Sequence, residues 1–408
     1  MKAKPYDVIV FGATSFVGQI LTRYLYETFG LDGELRWAAA GRSKPKLESL
    51  RAELGRGAAR LPLLEADAGS ADSLRRLCVN GRVIVSTVGP YALYGEPLVQ
   101  ACTETGTDYC DLTGEVQWMR RMIARYEAAA RASGARIVHC CGFDSIPSDL
   151  GVWFLQQEAR RRFGQPCEQV KMRVRAMRGG FSGGTVASLL NVVREVAADP
   201  ALRRELADPY SLWPDADKPR VRQHEVRFAE HDPDFDAWIA PFVMSAINTR
   251  VVHRSNGLAQ RAYGADFRYD EAVLTGRGLK GRAAAVALSS ALGAFVAAGA
   301  VGPLRTVLER YVLPAPGEGP SPEDQRKGFF DLRFFGRTVD GRTLRCKVTG
   351  DRDPGYGSTA KMLGQAAASL ALDVPGGPGG FWTPATLLGD KLLGRLSAQS
   401  GLGFDLLD

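Results

Sequence analysis

The chain has 408 residues, of which 24% are charged and 45% hydrophobic, and a net charge of +7. That composition is globular and long enough for two domains of about 150–200 residues. A surplus so small, spread along the chain, argues against nucleic acid as a partner; it suits phosphorylated cofactors, thioester carriers or an anionic membrane surface.

Near the start, Lys2 and Lys4 precede Pro5 and Asp7, and the apolar run after them is too short for a signal peptide. The expected location is therefore the cytoplasm, with the odd count of seven cysteines kept as reduced thiols. The four histidines are scattered, and no His/Cys spacing resembles a zinc site, so no metal is expected.

The first element is a strand at residues 8–11, a β-branched and aromatic run suited to burial on both faces. Gly12-Ala13-Thr14-Ser15-Phe16-Val17-Gly18 follows, then apolar residues at helical spacing through Leu25. Strand, small-residue turn and helix are the setting of a dinucleotide fingerprint. Gly12 permits the tight turn, Gly18 lets the helix pack close, and the helix start favours a pyrophosphate. Ser15 stands where the fingerprint usually has its middle glycine; it is small and able to donate to a phosphate.

A second strand at 35–40 ends in Gly41-Arg42-Ser43-Lys44. An acidic residue there would bind the ribose hydroxyls of NAD, whereas Arg42 with Ser43 suits the 2′-phosphate of NADP. A third strand at 61–64 leads to Asp67, placed to border the adenine. A fourth at 83–88 runs through Thr87 and Val88 into Gly89-Pro90-Tyr91, the end expected to lie near the nicotinamide. Strands at 108–112 and 136–141 complete a doubly wound, Rossmann-type parallel sheet. Ser145 or Ser148 is placed to cap a helix through 153–162.

The pattern then changes. Residues 170–176 alternate as a half-buried strand, and 221–228 and 261–268 do so less cleanly. Runs at 329–335 and 344–348 flank Asp340-Gly341, a hairpin signal. The expectation is a second α+β domain on a mostly antiparallel sheet over 151–354, with 1–150 as the nucleotide domain and 355–408 packing back on it. Residues 199–219, with four prolines, read as a surface excursion. Residues 283–304 carry no charge and as a helix would measure roughly 33 Å, enough to span a bilayer. They are mostly Ala, Gly and Ser, so insertion is marginal, and small residues permit close helix packing. The segment is expected to meet a lipid surface peripherally, an acyl substrate or a second copy of the chain in a homodimer.

Gly12-Ala13-Thr14, Gly41-Arg42, Thr87-Val88-Gly89-Pro90-Tyr91, Tyr109-Cys110-Asp111-Leu112-Thr113-Gly114-Glu115 and Gly142-Phe143-Asp144-Ser145-Ile146-Pro147-Ser148-Asp149 carry a family resemblance. The chain resembles the saccharopine dehydrogenase-like oxidoreductases and, more narrowly, their bacterial trans-acting enoyl reductase branch. Ser182-Gly183-Gly184-Thr185, Gly355-Tyr356-Gly357 and Gly380-Phe381-Trp382-Thr383-Pro384 extend the match along nearly the whole chain. The resemblance implies NADP-dependent reduction of an enoyl C=C bond in a small-molecule or carrier-bound lipid or polyketide thioester. Alternatives are imine reduction of the saccharopine type and a non-catalytic protein of lipid surfaces.

On this reading the cofactor contacts are Gly12, Ala13, Thr14, Ser15, Phe16, Val17, Gly18, Arg42, Ser43, Asp67, Thr87, Val88, Gly89 and Pro90. Tyr91, Tyr94 and Asp144 are the candidates for proton transfer or substrate orientation. Phe143, Ser182, Gly183 and Thr185 are candidate substrate contacts. Gly180-Phe181-Ser182-Gly183-Gly184 also matches a hydrolase nucleophile elbow, but no downstream histidine sits in a recognisable motif. His139, on an apolar strand, reads as a core histidine.

Overall fold

Val8, Ile9 and Val10 are fully buried because their strand is central. Val8 pairs with Trp37 on one side and Val83 on the other, both in parallel. The computed structural model describes residues 4–179, 183–301 and 319–407. In chain order the strands are β1 (Tyr6–Phe11), β2 (Trp37–Gly41), β3 (Leu63–Glu65), β4 (Gly81–Ser86), β5 (Asp108–Asp111), β6 (Arg136–Val138), β7 (Cys167–Arg178), β8 (Glu230–Asp232), β9 (Ala237–Pro241), β10 (Arg268–Gly276), β11 (Phe329–Thr338), β12 (Thr343–Gly350), β13 (Gly380–Trp382) and β14 (Leu402–Leu407).

Two compact units result. One runs to Asp144 and takes up Gly355–Gly401; the other begins at Ser145 and includes Pro320–Pro354 and Leu402–Asp408. The first holds a seven-stranded sheet in the order β13-β6-β5-β4-β1-β2-β3, parallel throughout. The order reverses between β1 and β4, and ligands of such sheets bind at the carboxyl ends beside that switch. Helix Thr359–Leu372 is buried along almost its whole length. It packs on helix Phe16–Phe29, where Gly364 leaves room for the Tyr24 ring and Gln365 donates to the Tyr24 hydroxyl at 2.8 Å.

The second unit holds the sheet β14-β12-β11-β7-β10-β9-β8, in which β7 and β10 run parallel and the other pairs antiparallel. Helix Ile146–Phe163 covers one face; Gly151 sits against the Phe334 ring, and Phe154 meets Phe404 edge-on at 6.2 Å.

Several boundaries differ from expectation. The C-terminal segment does not stay with the first sheet throughout, because β14 pairs with β12. No strand forms at 221–228: the Gln223 side chain takes the Phe267 carbonyl at 3.0 Å and the Tyr269 N–H at 3.1 Å, meeting the margin of β10 with an amide. Residues 261–267 turn, with Arg261 and Gly264 at positive φ, so β10 starts only at Arg268. Neither Ser145 nor Ser148 caps the helix at 146 through its hydroxyl; Ser145 Oγ donates to Asn248 Oδ1 at 3.1 Å. Within 199–219, residues Pro200–Ala207 form a short helix.

Candidate functional site

The turn after β1 is closed by its own backbone. The Gly12 and Ala13 N–H groups both donate to the Ala40 carbonyl at 3.0 Å, and the Ser15 N–H donates to the Gly12 carbonyl at 2.9 Å. Gly12 has φ +87°, and a Cβ there would stand 2.7 Å from Val88 Cγ2 and 2.8 Å from Thr87 Oγ1. At Gly18 a Cβ would fall 2.1 Å from the Gly12 carbonyl oxygen, so the helix lies on the turn itself. The first N–H groups of helix Phe16–Phe29, at Phe16 and Val17, have no intrahelical acceptor and no other acceptor among the described residues, so they can hold an anion. This cradle fits a dinucleotide, with Thr14, Phe16 and Val17 as its backbone donors.

Ser15 departs from its expected role. Its Oγ accepts the Gly18 N–H at 3.0 Å, capping the helix, and lies 2.9 Å from Thr87 Oγ1. Thr87 in turn donates to the Gly12 carbonyl at 2.9 Å. When Thr87 gives its proton to the Gly12 carbonyl, Ser15 donates to Thr87, so the serine hydroxyl is engaged within the turn. The serine ties the turn to the end of β4 where glycine would leave a gap. Phe16 packs edge-on against Tyr356 at 5.2 Å.

At the ends of β2 and β3, Arg42 is exposed and has no ion-pair partner among the described residues. Ser43 stands at the N-cap of helix Lys44–Glu53 with no side-chain cap bond, leaving its hydroxyl available. Asp67 is exposed and folded on its own loop, its Oδ1 accepting the Gly69 N–H at 3.0 Å.

Three loops meet at the carboxyl edge of β4, β5 and β6. After β4, Gly89 and Pro90 lead into a single helical turn, Tyr91–Tyr94. Glu115, from the loop after β5, accepts the N–H groups of Tyr91 and Ala92 at 2.8 and 2.9 Å, fixing that turn. Tyr91 is not placed as a proton donor: it is buried, and its hydroxyl donates to the Ser86 carbonyl at 2.9 Å. Burial, and then the Asp111 carboxylate, push its phenol well up. Tyr94, at the end of the same turn, is half exposed.

Asp111 ends β5 fully buried. It joins the Tyr109 hydroxyl at 2.9 Å, His139 Nδ1 at 2.7 Å and the N–H groups of Thr113 and Cys140. His139 is a core residue among Trp118, Tyr109 and Phe381, but only partly satisfied, since Nε2 has no partner among the described residues. After β6 the chain turns through Gly142-Phe143-Asp144. Phe143 is buried, and its N–H donates to Thr359 Oγ1 at 2.9 Å, so helix Thr359–Leu372 anchors this turn. Asp144 keeps part of its surface open, yet burial of its carboxyl, with a smaller push from the Asp111 charge, raises its pKa to about 7. A carboxyl so poised is half protonated near neutrality and able to give a proton to a carbanion.

Of the expected substrate contacts, Ser182 lies outside the described residues. Gly183 begins helix Gly183–Ala198, whose first turn includes Thr185. Sequence reasoning assigned no role to Glu115, Asp111 or Thr359. The first two stand in the Tyr109-to-Glu115 motif, a local signal; Thr359 acts from more than 200 residues away, and nothing in its neighbourhood marks it.

The family description "Saccharopine dehydrogenase NADP binding domain" matches residues 8–138. A Mycobacterium tuberculosis protein named as a trans-acting enoyl reductase is 39% identical over 98% of this chain and 97% of its own. A Mycobacterium bovis trans-acting enoyl reductase is 36% identical over 96% of each chain. Among solved structures, apo saccharopine dehydrogenase (L-Glu forming) from Saccharomyces cerevisiae shares the fold at TM-score 0.54 and 13% identity, covering 99% of this chain and 100% of that one. With such identity along both full chains, the protein belongs to the trans-acting enoyl reductase family, built on the saccharopine dehydrogenase NADP-binding domain.

Proposed function

We propose that this NAD(P)-dependent oxidoreductase uses NADP to reduce the C=C bond of a carrier-bound lipid or polyketide enoyl thioester. The observation that carries the reading is a dinucleotide turn and a carboxyl of pKa about 7 at the same edge of one sheet. Bound NADPH supplies a hydride to the β-carbon. The backbone donors after Gly12 hold the pyrophosphate, and Arg42 with Ser43 holds the 2′-phosphate. Asp67 borders the adenine, and Thr87, Val88, Gly89 and Pro90 border the nicotinamide. Asp144 gives its proton to the α-carbon of the resulting enolate; Tyr94 and Phe143 line the acyl side, and Tyr91 braces the wall from within.

The test is oxidation of NADPH and of NADH against a panel of enoyl thioesters, imines and quinones. Turnover of an enoyl thioester is expected; turnover of imines alone would sink the reading. In the same assay NADPH is expected to bind better than NADH. Charge-assisted hydrogen bonds from Arg42 contribute roughly 1.5–3 kcal/mol, about 10- to 150-fold. Arg42→Asp should erase or reverse that preference, and equal binding of the two cofactors by the unaltered protein would refute it.

Helix Gly278–Ala300 bears on location. Its span Gly278–Gly299 is long and apolar enough to cross a membrane, and only 17% of the window is buried. The buried positions are few and small: Gly281, Ala285, Ser289 and Gly299. Thr275 of β10 donates to the Gly281 carbonyl at 2.9 Å, and a Cβ on Gly281 would meet the Gly276 carbonyl oxygen at 2.1 Å. A helix seated so closely on an open sheet does not enter a bilayer alone, because the sheet's edges have no place in hydrocarbon. Its other faces expose Leu279, Val286, Leu288 and Val296. These suit a peripheral lipid contact from the cytoplasm or a homodimer contact. On fractionation most of the protein is expected to stay soluble or to wash off membranes with carbonate. Extraction by detergent alone would show a true span.

A further inference from the structure

The register of the second sheet sets like charges side by side. Arg333 of β11 lies opposite Arg173 of β7 on one side and Lys347 of β12 on the other. Like charges directly opposite one another destabilise a sheet, and such breaches of local rules gather at functional sites. Two members of the row are neutralised. Arg173 is held by Asp232 at 2.7 Å and Asp270 at 2.6 Å, and Lys347 lies 3.4 Å from Asp405. Arg333 shares one carboxylate, Asp331, with Arg175, at 2.7 and 3.1 Å. Arg345 has no carboxylate within ion-pair distance among the described residues. Its Nη2 donates to the Asp234 carbonyl at 2.6 Å, and its guanidinium lies over the rings of Phe335 and Phe235 at 4.7 and 5.3 Å.

Arg175, Arg333 and Arg345 line one pocket of about 380 Å³, whose other walls include Phe235, Leu274 and Leu407. Among the described residues, three guanidiniums facing one carboxylate leave two positive charges uncompensated there. The volume is that of a small-molecule site rather than a protein-docking surface. We propose that this pocket binds a phosphate ester through its phosphate, with the attached chain lying along the pocket's walls. A phosphate monoester is close to dianionic at neutral pH and so matches the uncompensated charge, whereas a carboxylate brings only half of it. Guanidinium forks fit phosphate oxygens in pairs. Arg345 already rests against two rings, so little side-chain freedom is lost on binding. Leucine and phenylalanine walls accept the chain. The proposal rests on the pocket alone and is independent of the reaction assigned above; none of these residues belongs to the nucleotide turn.

The experiment is calorimetry on the full-length protein with saturating NADPH present, using phosphopantetheine, pantetheine and glycerol 3-phosphate as probes. Phosphopantetheine is expected to bind with a submillimolar dissociation constant and pantetheine at least about tenfold more weakly. Glycerol 3-phosphate is expected to bind more weakly than phosphopantetheine because it lacks the chain; equal binding would overturn the part assigned to the chain. Arg345→Gln and the surface substitution Arg175→Gln should each weaken phosphopantetheine about tenfold or more, with NADPH affinity unchanged; Arg345→Lys should fall between. Arg175, whose side chain is 60% exposed, can be replaced without disturbing the core should Arg345→Gln misfold. Equal binding of pantetheine, no submillimolar binding, or affinities untouched by either glutamine variant would overturn the proposal.

Discussion

Gly12→Val is expected to lower NADPH affinity at least about 100-fold while the chain still folds. The new Cβ would press on Val88 and Thr87, the residues that join the turn to β4. Relief requires the turn to move, and with it the N–H groups of Phe16 and Val17. Losing two or three hydrogen bonds to a charged pyrophosphate, each about 1.5 kcal/mol, accounts for that factor. The backbone penalty is separate. A non-glycine residue at φ +87° costs on the order of 1–3 kcal/mol, less than the usual 5–15 kcal/mol of stability. Gly30→Ala is the control: Gly30 has φ +62° at the end of the same helix, with nothing within 4 Å of a built Cβ. It should lose comparable stability and keep its affinity. Fluorescence titration with NADPH, beside circular dichroism, makes the comparison; retained binding in Gly12→Val would mean that the pyrophosphate lies elsewhere.

Asp144→Asn is expected to lower kcat about 10²- to 10⁴-fold on the enoyl substrate, the usual contribution of a positioned proton donor, with NADPH affinity unchanged. In the unaltered protein kcat should be flat below about pH 7 and fall above it, because the protonated carboxyl is the competent form. A second readout needs no substrate. The folded pKa, about 7, stands above the ordinary aspartate value of 3.8, so folding takes up a proton between those values. The stability linked to that proton is fully present below about pH 4 and is lost as pH rises through about 7. Asn does not ionise, so its melting temperature minus that of the unaltered protein should grow from about pH 4 to pH 7 and then level off. An Asn variant with full activity, or with no such pH-dependent difference, would remove Asp144 from the mechanism.

Short-range patterns were legible in the chain. The β-branched run at 8–11 with Gly12 and Gly18, the alternation of strands and helices to residue 141, and the Asp340-Gly341 hairpin each depend on neighbours a few residues apart. The sequence alone therefore determined the parallel nucleotide-binding sheet, a second and mostly antiparallel sheet, and Arg42 in place of an acidic ribose ligand. Tertiary structure decided what depends on distant partners. Ser15 reads as a phosphate donor until Thr87, 72 residues on, engages its hydroxyl. Tyr91 reads as an acid until burial and the Ser86 carbonyl engage its hydroxyl. A strand at 221–228 is displaced by one glutamine side chain, and the last strand joins the second sheet through pairing with β12. The Asp144 pKa near 7 comes from lost hydration in a turn that Thr359 anchors from 216 residues away. Composition and periodicity report how a residue sits on its own element; which proton is already spent, and which carboxyl has lost its water, is settled only when elements far apart in the chain come together.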